Sequence, residues 1–181
     1  MIVVCFADGT EEVEALTVVD LLRRAQLEVV IAGLTDQPIR GSKGIRILPD
    51  CRVDQVDADQ VDMLVLPGGM PGTRNLLEND SVDRLLSSVY LAGRPVAAIC
   101  AAPMILGQKG LLKGKQAVCY PGFEGQLMEA EVQPGAKVVV DGNVITSKGL
   151  GTAIDFSLAL IEKIKGAEAA ETVKKQICYE T

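Results

Sequence analysis

Apolar runs of four or five residues recur along this chain with helix-patterned segments between them, and that alternation limits the fold more than any other feature. The runs fall at residues 2–6, 28–32, 63–66 and 95–99. They are too short for buried helices, and they lack the polar alternation of a strand with one wet face. Strands of a parallel sheet are written this way, because crossover helices cover both of its faces. The expected fold class is therefore α/β, a mostly parallel sheet between helices. Composition agrees: the chain is 48% hydrophobic but only 3% aromatic, so Val, Ile, Leu and Ala must build the core.

Helical patterning covers about residues 11–25, 80–92, 102–109, 152–165 and 167–178, with Gly110 and Gly166 as stops. Residues 45–48 and 116–119 read as short extended pieces. Residues 137–140 and 144–146 flank Asp141-Gly142-Asn143, an Asp-Gly turn that predicts a β-hairpin. Residues 67–72, Pro-Gly-Gly-Met-Pro-Gly, exclude regular structure. No repeat or linker divides the 181 residues, so one domain over 1–181 is expected.

A net charge of −6 without a Lys/Arg cluster argues against a nucleic-acid partner. The apolar start, residues 1–6, is too short for a membrane span and has no basic leader. It reads as a first strand of a cytoplasmic protein. The five cysteines are scattered and unpaired in spacing, and there is no histidine, so neither a disulfide framework nor a metal site is expected. Cys5 and Cys119 lie in strand-like runs and read as small buried hydrophobes.

In parallel sheets, sites form beyond the C-terminal ends of the strands. Three loops belong there: residues 7–14, residues 67–73, and the turn at Cys100. The stretch Ala97-Ala98-Ile99-Cys100-Ala101-Ala102-Pro103 reads as a strand–turn–helix elbow with the thiol at its apex. Cys100 is either a packing residue at a strand end or a nucleophile. For the second role, the following helix would aim its N-terminus at the sulfur, favouring thiolate. The N–H of Ala101 with that of Gly68 or Gly69 could form an oxyanion hole, although Gly-Gly also suits an ordinary turn.

Imidazole, the usual base for such a thiol, is absent from the chain. Glu14 is the candidate replacement. It shares a helical stripe with Val18, Leu21, Leu22 and Ala25. Burial would raise its pKa and let it stay protonated as a hydrogen-bond donor. The same helix is apolar on more than one face, so phase alone also allows a structural acid. Glu11 and Glu12 read as first-turn carboxylates complementing the helix dipole.

Four segments together carry a resemblance: residues 8–14 (DGTEEVE), 66–69 (LPGG), 98–103 (AICAAP) and 146–152 (TSKGLGT). In order and spacing they resemble the ThiJ/PfpI superfamily, in the branch that includes the parkinsonism-associated deglycase and its bacterial relatives. The resemblance covers nearly the whole chain and implies a flavodoxin-like three-layer sandwich, usually a homodimer. It implies that Cys100 is the reactive nucleophile, Glu14 the buried acid on its sulfur, and Gly69 and Ala101 the oxyanion donors. The dimer contact would involve Val13, Arg23 and Arg24. Where the family often has a histidine, this chain has Tyr120, which removes a Cys-His-Asp triad and leaves the Cys–Glu pair.

The implied activity is a cofactor-free glyoxalase or deglycase acting on small 2-oxoaldehydes such as methylglyoxal. Cys100 would form a hemithioacetal, Glu14 would transfer the proton, and Tyr120 would be a candidate substrate contact. The alternatives are a redox sensor or chaperone through oxidation of Cys100, an inert structural relative and, less favoured, thiamine-precursor biosynthesis or peptidase or amidase action.

Overall fold

All five residues of β1 (Ile2–Phe6) are buried, which requires a strand inside a sheet covered on both faces. The computed structural model describes residues 1–180 and sets this strand within a seven-stranded sheet. Its neighbours, β2 (Val29–Gly33) and β6 (Met63–Leu66), run parallel to it. Beyond β6 come β7 (Val96–Ile99) and then β11 (Val144–Ser147), also parallel. The edges are β5 (Cys51–Arg52), beside β2, and β10 (Val138–Asp141), antiparallel to β11. The expected Asp-Gly hairpin is this β10–β11 pair, with Gly142 at φ +62° in the turn.

Side chains alternate across a strand, so β1 feeds two cores. Ile2, Val4 and Phe6 pack with α1 (Glu12–Arg24), α5 (Ala153–Lys165) and α6 (Ala167–Gln176). Val3 and Cys5 face α2 (Gly72–Leu77), α3 (Asp80–Leu91) and α4 (Pro103–Gln108). Leu22 and Phe156 are fully buried in the first core, where truncating such a side chain to Ala costs about 2–5 kcal/mol. The architecture is the expected α/β sandwich.

The expected boundaries shift in places. The second strand begins at Val29, one residue late. Residues 45–48 contribute only β4 (Arg46–Ile47), antiparallel to an unexpected β3 (Ile39–Arg40). Residues 116–119 contribute β8 (Gln116–Ala117), parallel to an unexpected β9 (Glu131–Val132). Strands of two residues carry no period to read, so their partners were invisible. The Pro-Gly loop ends sooner than expected, because Gly72 already opens α2. No helix among the described residues is long and apolar enough to cross a membrane.

Candidate active site

The C-terminal ends of β1, β6 and β7 open on the same side of the sheet, and Cys100 follows β7 directly. Its backbone sits at φ +66°, a left-handed conformation that typically costs a non-glycine residue about 1–3 kcal/mol. Three hydrogen bonds hold the elbow. Cys100 N–H donates to Ser147 O at 3.0 Å, Tyr120 N–H donates to Cys100 O at 2.8 Å, and Ala102 N–H donates to Ile99 O at 3.1 Å. The half-buried sulfur receives hydrogen bonds from the backbone N–H groups of Gly69 and Ala101.

The helix behind the elbow contributes less than the sequence suggests. α4 has only six residues and begins at Pro103, which has no N–H to offer. The favourable field at the sulfur therefore comes from those two N–H groups.

Glu14 reaches the same point from the first turn of α1. Its side chain is 1% exposed, and its carboxyl hydrogen-bonds the Cys100 thiol. Gly68 N–H donates to its Oε2 at 3.1 Å, and Leu150 N–H donates to the same carboxyl. Burial, assisted by the negative charge of Glu11, raises the Glu14 pKa to about 7; the hydrogen bonds oppose but do not cancel that. Burial and then the Glu14 charge push the Cys100 thiol up to about 12. The two groups share a hydrogen bond and ionise as a pair. With Glu14 ionised the thiol keeps its proton. With Glu14 protonated, the repulsion disappears and its O–H can donate to sulfur.

Gly68 is required by space. A Cβ there would lie 2.4 Å from Cys100 Cβ and 2.6 Å from Glu14 Oε2. Gly69, at φ +90°, turns the chain so that its N–H faces the sulfur while its own α-carbon packs on the backbone of Gly9 to Glu11.

Tyr120 and the 147–152 loop form the outer rim. Thr152 Oγ1 accepts from Gly149 N–H at 3.1 Å and lies 2.7 Å from Ser147 Oγ, which shapes the loop. Tyr120, half exposed, borders a depression of about 280 Å³ together with Pro121 and residues 148–152. The structure thus brings together Cys100, Glu14, Gly69 and Ala101, with Tyr120 beside them.

Glu12 is the first-turn acid the sequence expects. Its burial, to 1% exposed, has no signal in the sequence. Its carboxylate accepts from Lys43 N–H at 2.7 Å, Ile45 N–H at 3.2 Å and the Ser42 hydroxyl at 3.1 Å. Burial alone would raise its pKa, but its own N–H, those two amides and that hydroxyl outweigh it and hold the carboxyl below its ordinary value. Glu11 is the N-cap and accepts from Glu14 N–H at 2.7 Å. Leu150 was likewise missed as a donor to Glu14; the Gly-Leu-Gly setting gave no chemical signal. Cys5 and Cys119 are buried, as expected for packing residues, and burial raises their thiols to about 12 and about 11.

The model of the DJ-1/PfpI family matches residues 1–163. This chain belongs to the DJ-1/PfpI family. It is similar to protein dj-1beta of Drosophila melanogaster, 41% identical over 174 residues that cover 95% of this chain and 93% of that protein. The crystal structure of Drosophila DJ-1beta covers 99% of this chain and 97% of its own, with a TM-score of 0.95 and 39% identity. A glutathione-independent glyoxalase of Caenorhabditis elegans, DJR-1.2, is 33% identical over 172 residues, covering 94% of this chain and 91% of that protein. A structure titled Toxoplasma gondii DJ-1, oxidized, has a TM-score of 0.94 and 35% identity, covering 99% of this chain and 98% of its own. A glyoxalase or oxidative-stress role is therefore supported at the level of the DJ-1/PfpI family.

Proposed function

We propose that this protein is a cofactor-independent glyoxalase that converts small 2-oxoaldehydes such as methylglyoxal to 2-hydroxy acids. The observation that carries the reading is the buried Glu14 carboxyl hydrogen-bonded to the Cys100 thiol, with two backbone N–H groups on the same sulfur. The name of the Caenorhabditis elegans relative supports the substrate class.

The step sequence follows from that geometry. Cys100 Sγ attacks the aldehyde carbon while the Glu14 carboxylate accepts the thiol proton. The oxyanion forms between the N–H groups of Gly69 and Ala101, then takes that proton from Glu14 to give a hemithioacetal. The restored carboxylate removes the proton on the former aldehyde carbon, giving an enediol, and returns it to the neighbouring carbon. The product is a 2-hydroxy thioester, with the Tyr120 hydroxyl orienting the second carbonyl oxygen. Water hydrolyses the thioester, releasing the hydroxy acid and the thiol, so one water is consumed per turnover. A positioned carboxylate of this kind contributes about 10²–10⁴-fold. Deglycase action on adducts of the same aldehydes would use the same groups.

Lactate formation from methylglyoxal tests the proposal. Wild type turns over, while Cys100→Ser and Glu14→Gln abolish turnover. Equal inactivity of all three proteins overturns it.

A second reading is favoured by the oxidized Toxoplasma relative. Two equivalents of hydrogen peroxide would take the Cys100 thiol through sulfenic to sulfinic acid, releasing two waters, with protonated Glu14 donating to the product. Mass spectrometry after mild peroxide should place the oxygen on Cys100 first, and even oxidation of all five cysteines refutes it.

We also propose a cytoplasmic homodimer that pairs through α1, where Val13 is 47% exposed. Sedimentation of wild type against Val13→Arg tests the pairing, and a monomer in both counts against it.

A further inference from the structure

We propose that Tyr120 and Leu150 form an apolar shelf beside Cys100 that makes the site select 2-oxoaldehydes bearing an aryl or bulky alkyl group over methylglyoxal. The proposal rests on reading the site as a glyoxalase and adds what it prefers. Tyr120 and Leu150 are each 50% exposed, and both line the depression of about 280 Å³ at the rim of the site. Large apolar side chains left in water beside a reactive group mark a place where a ligand's apolar part is covered.

Three observations tie the shelf to the chemistry. A Cβ on Gly149 would lie 3.2 Å from Tyr120 Cδ2 and 3.9 Å from Glu14 Oε1, so the bare Gly149 backbone connects the ring to the acid. Leu150 N–H donates to the Glu14 carboxyl, and Tyr120 N–H donates to Cys100 O. Both shelf residues are therefore positioned by the reacting pair itself. A substrate whose aldehyde carbon is on Cys100 and whose second carbon faces Glu14 extends its remaining substituent over this shelf. A methyl group covers little of it, and a phenyl ring covers the Tyr120 face and the Leu150 side chain together.

The test compares kcat/KM for phenylglyoxal and methylglyoxal in wild type, Leu150→Ala, Tyr120→Ala and Tyr120→Phe. The ratio within each protein is compared across proteins, which cancels the intrinsic reactivity of the two aldehydes. Leu150→Ala and Tyr120→Ala should each lower the phenylglyoxal-to-methylglyoxal ratio about tenfold, mainly through KM. Tyr120→Phe keeps the ring and should keep the ratio. A ratio unchanged by both alanine variants overturns the shelf. If wild type turns over neither aldehyde, the glyoxalase reading fails, and the shelf is then read from protection of Cys100 against iodoacetamide at short times. Stronger protection by phenylglyoxal that is lost in Leu150→Ala supports it; equal protection by both aldehydes overturns it.

Discussion

Glu14→Gln preserves the shape of the side chain while removing its charge, so it isolates the cost of ionising a buried acid. In the folded chain the Glu14 carboxyl keeps its proton up to about pH 7, against 4.5 for a solvated glutamate. Between those values the folded state binds one more proton than the unfolded chain. The stabilisation is fully present below pH 4.5 and is lost as pH rises through about 7. At about 1.4 kcal/mol per pH unit, the separation corresponds to about 3 kcal/mol. The glutamine variant cannot titrate and escapes this loss. Urea denaturation of both proteins from pH 4.5 to pH 8 measures it, because titrating groups that do not feel the Glu14 charge cancel in the difference. The variant should gain about 3 kcal/mol relative to wild type across the window. Any constant offset from amide geometry leaves that slope untouched. A difference flat with pH would falsify the argument, because Glu14 would then ionise like a surface acid.

Three further outcomes follow from the same geometry. Glyoxalase activity should rise with pH through about 7 as Glu14 ionises, and a methylglyoxal rate profile level from pH 5.5 to 8.5 contradicts its role as base. Gly68→Ala forces a Cβ onto Cys100 and Glu14, so it should destabilise by about 1–3 kcal/mol in urea and lower iodoacetamide labelling contrast between Cys100 and the exposed Cys178; wild-type stability refutes the clash. Glu12→Ala strands the amides of Lys43 and Ile45, so it should cost about 2–5 kcal/mol and speed hydrogen exchange at those two amides, with unchanged exchange counting against the buried clamp.

Much of the architecture was legible because it rests on local pattern. The apolar runs at β1, β2, β6 and β7 marked strands buried on both faces, and they formed a parallel sheet. The elbow at Cys100 was legible as well, since a strand that ends on small residues before a proline-started helix leaves few conformations. The two-residue strands β3, β5 and β9 were not, because they exist only through pairing with distant partners.

The acids at the start of α1 separate the two kinds of information most clearly. From sequence alone, Glu11, Glu12 and Glu14 are three carboxylates near one helix start, and the helix is apolar on more than one face. Periodicity states that successive residues point about 100° apart, but not what each direction meets. Packing decided that: Glu11 caps the helix, Glu12 is buried under the 41–45 turn, and Glu14 meets the sulfur of Cys100. The donors that complete the site, Gly68, Gly69, Ala101 and Leu150, likewise come from three separate loops. Sequence by itself determined the sheet, the elbow and the absence of a histidine base. Only the tertiary structure decided which acid stands beside the thiol, because that contact is set by how a helix sits on a sheet and not by either segment alone.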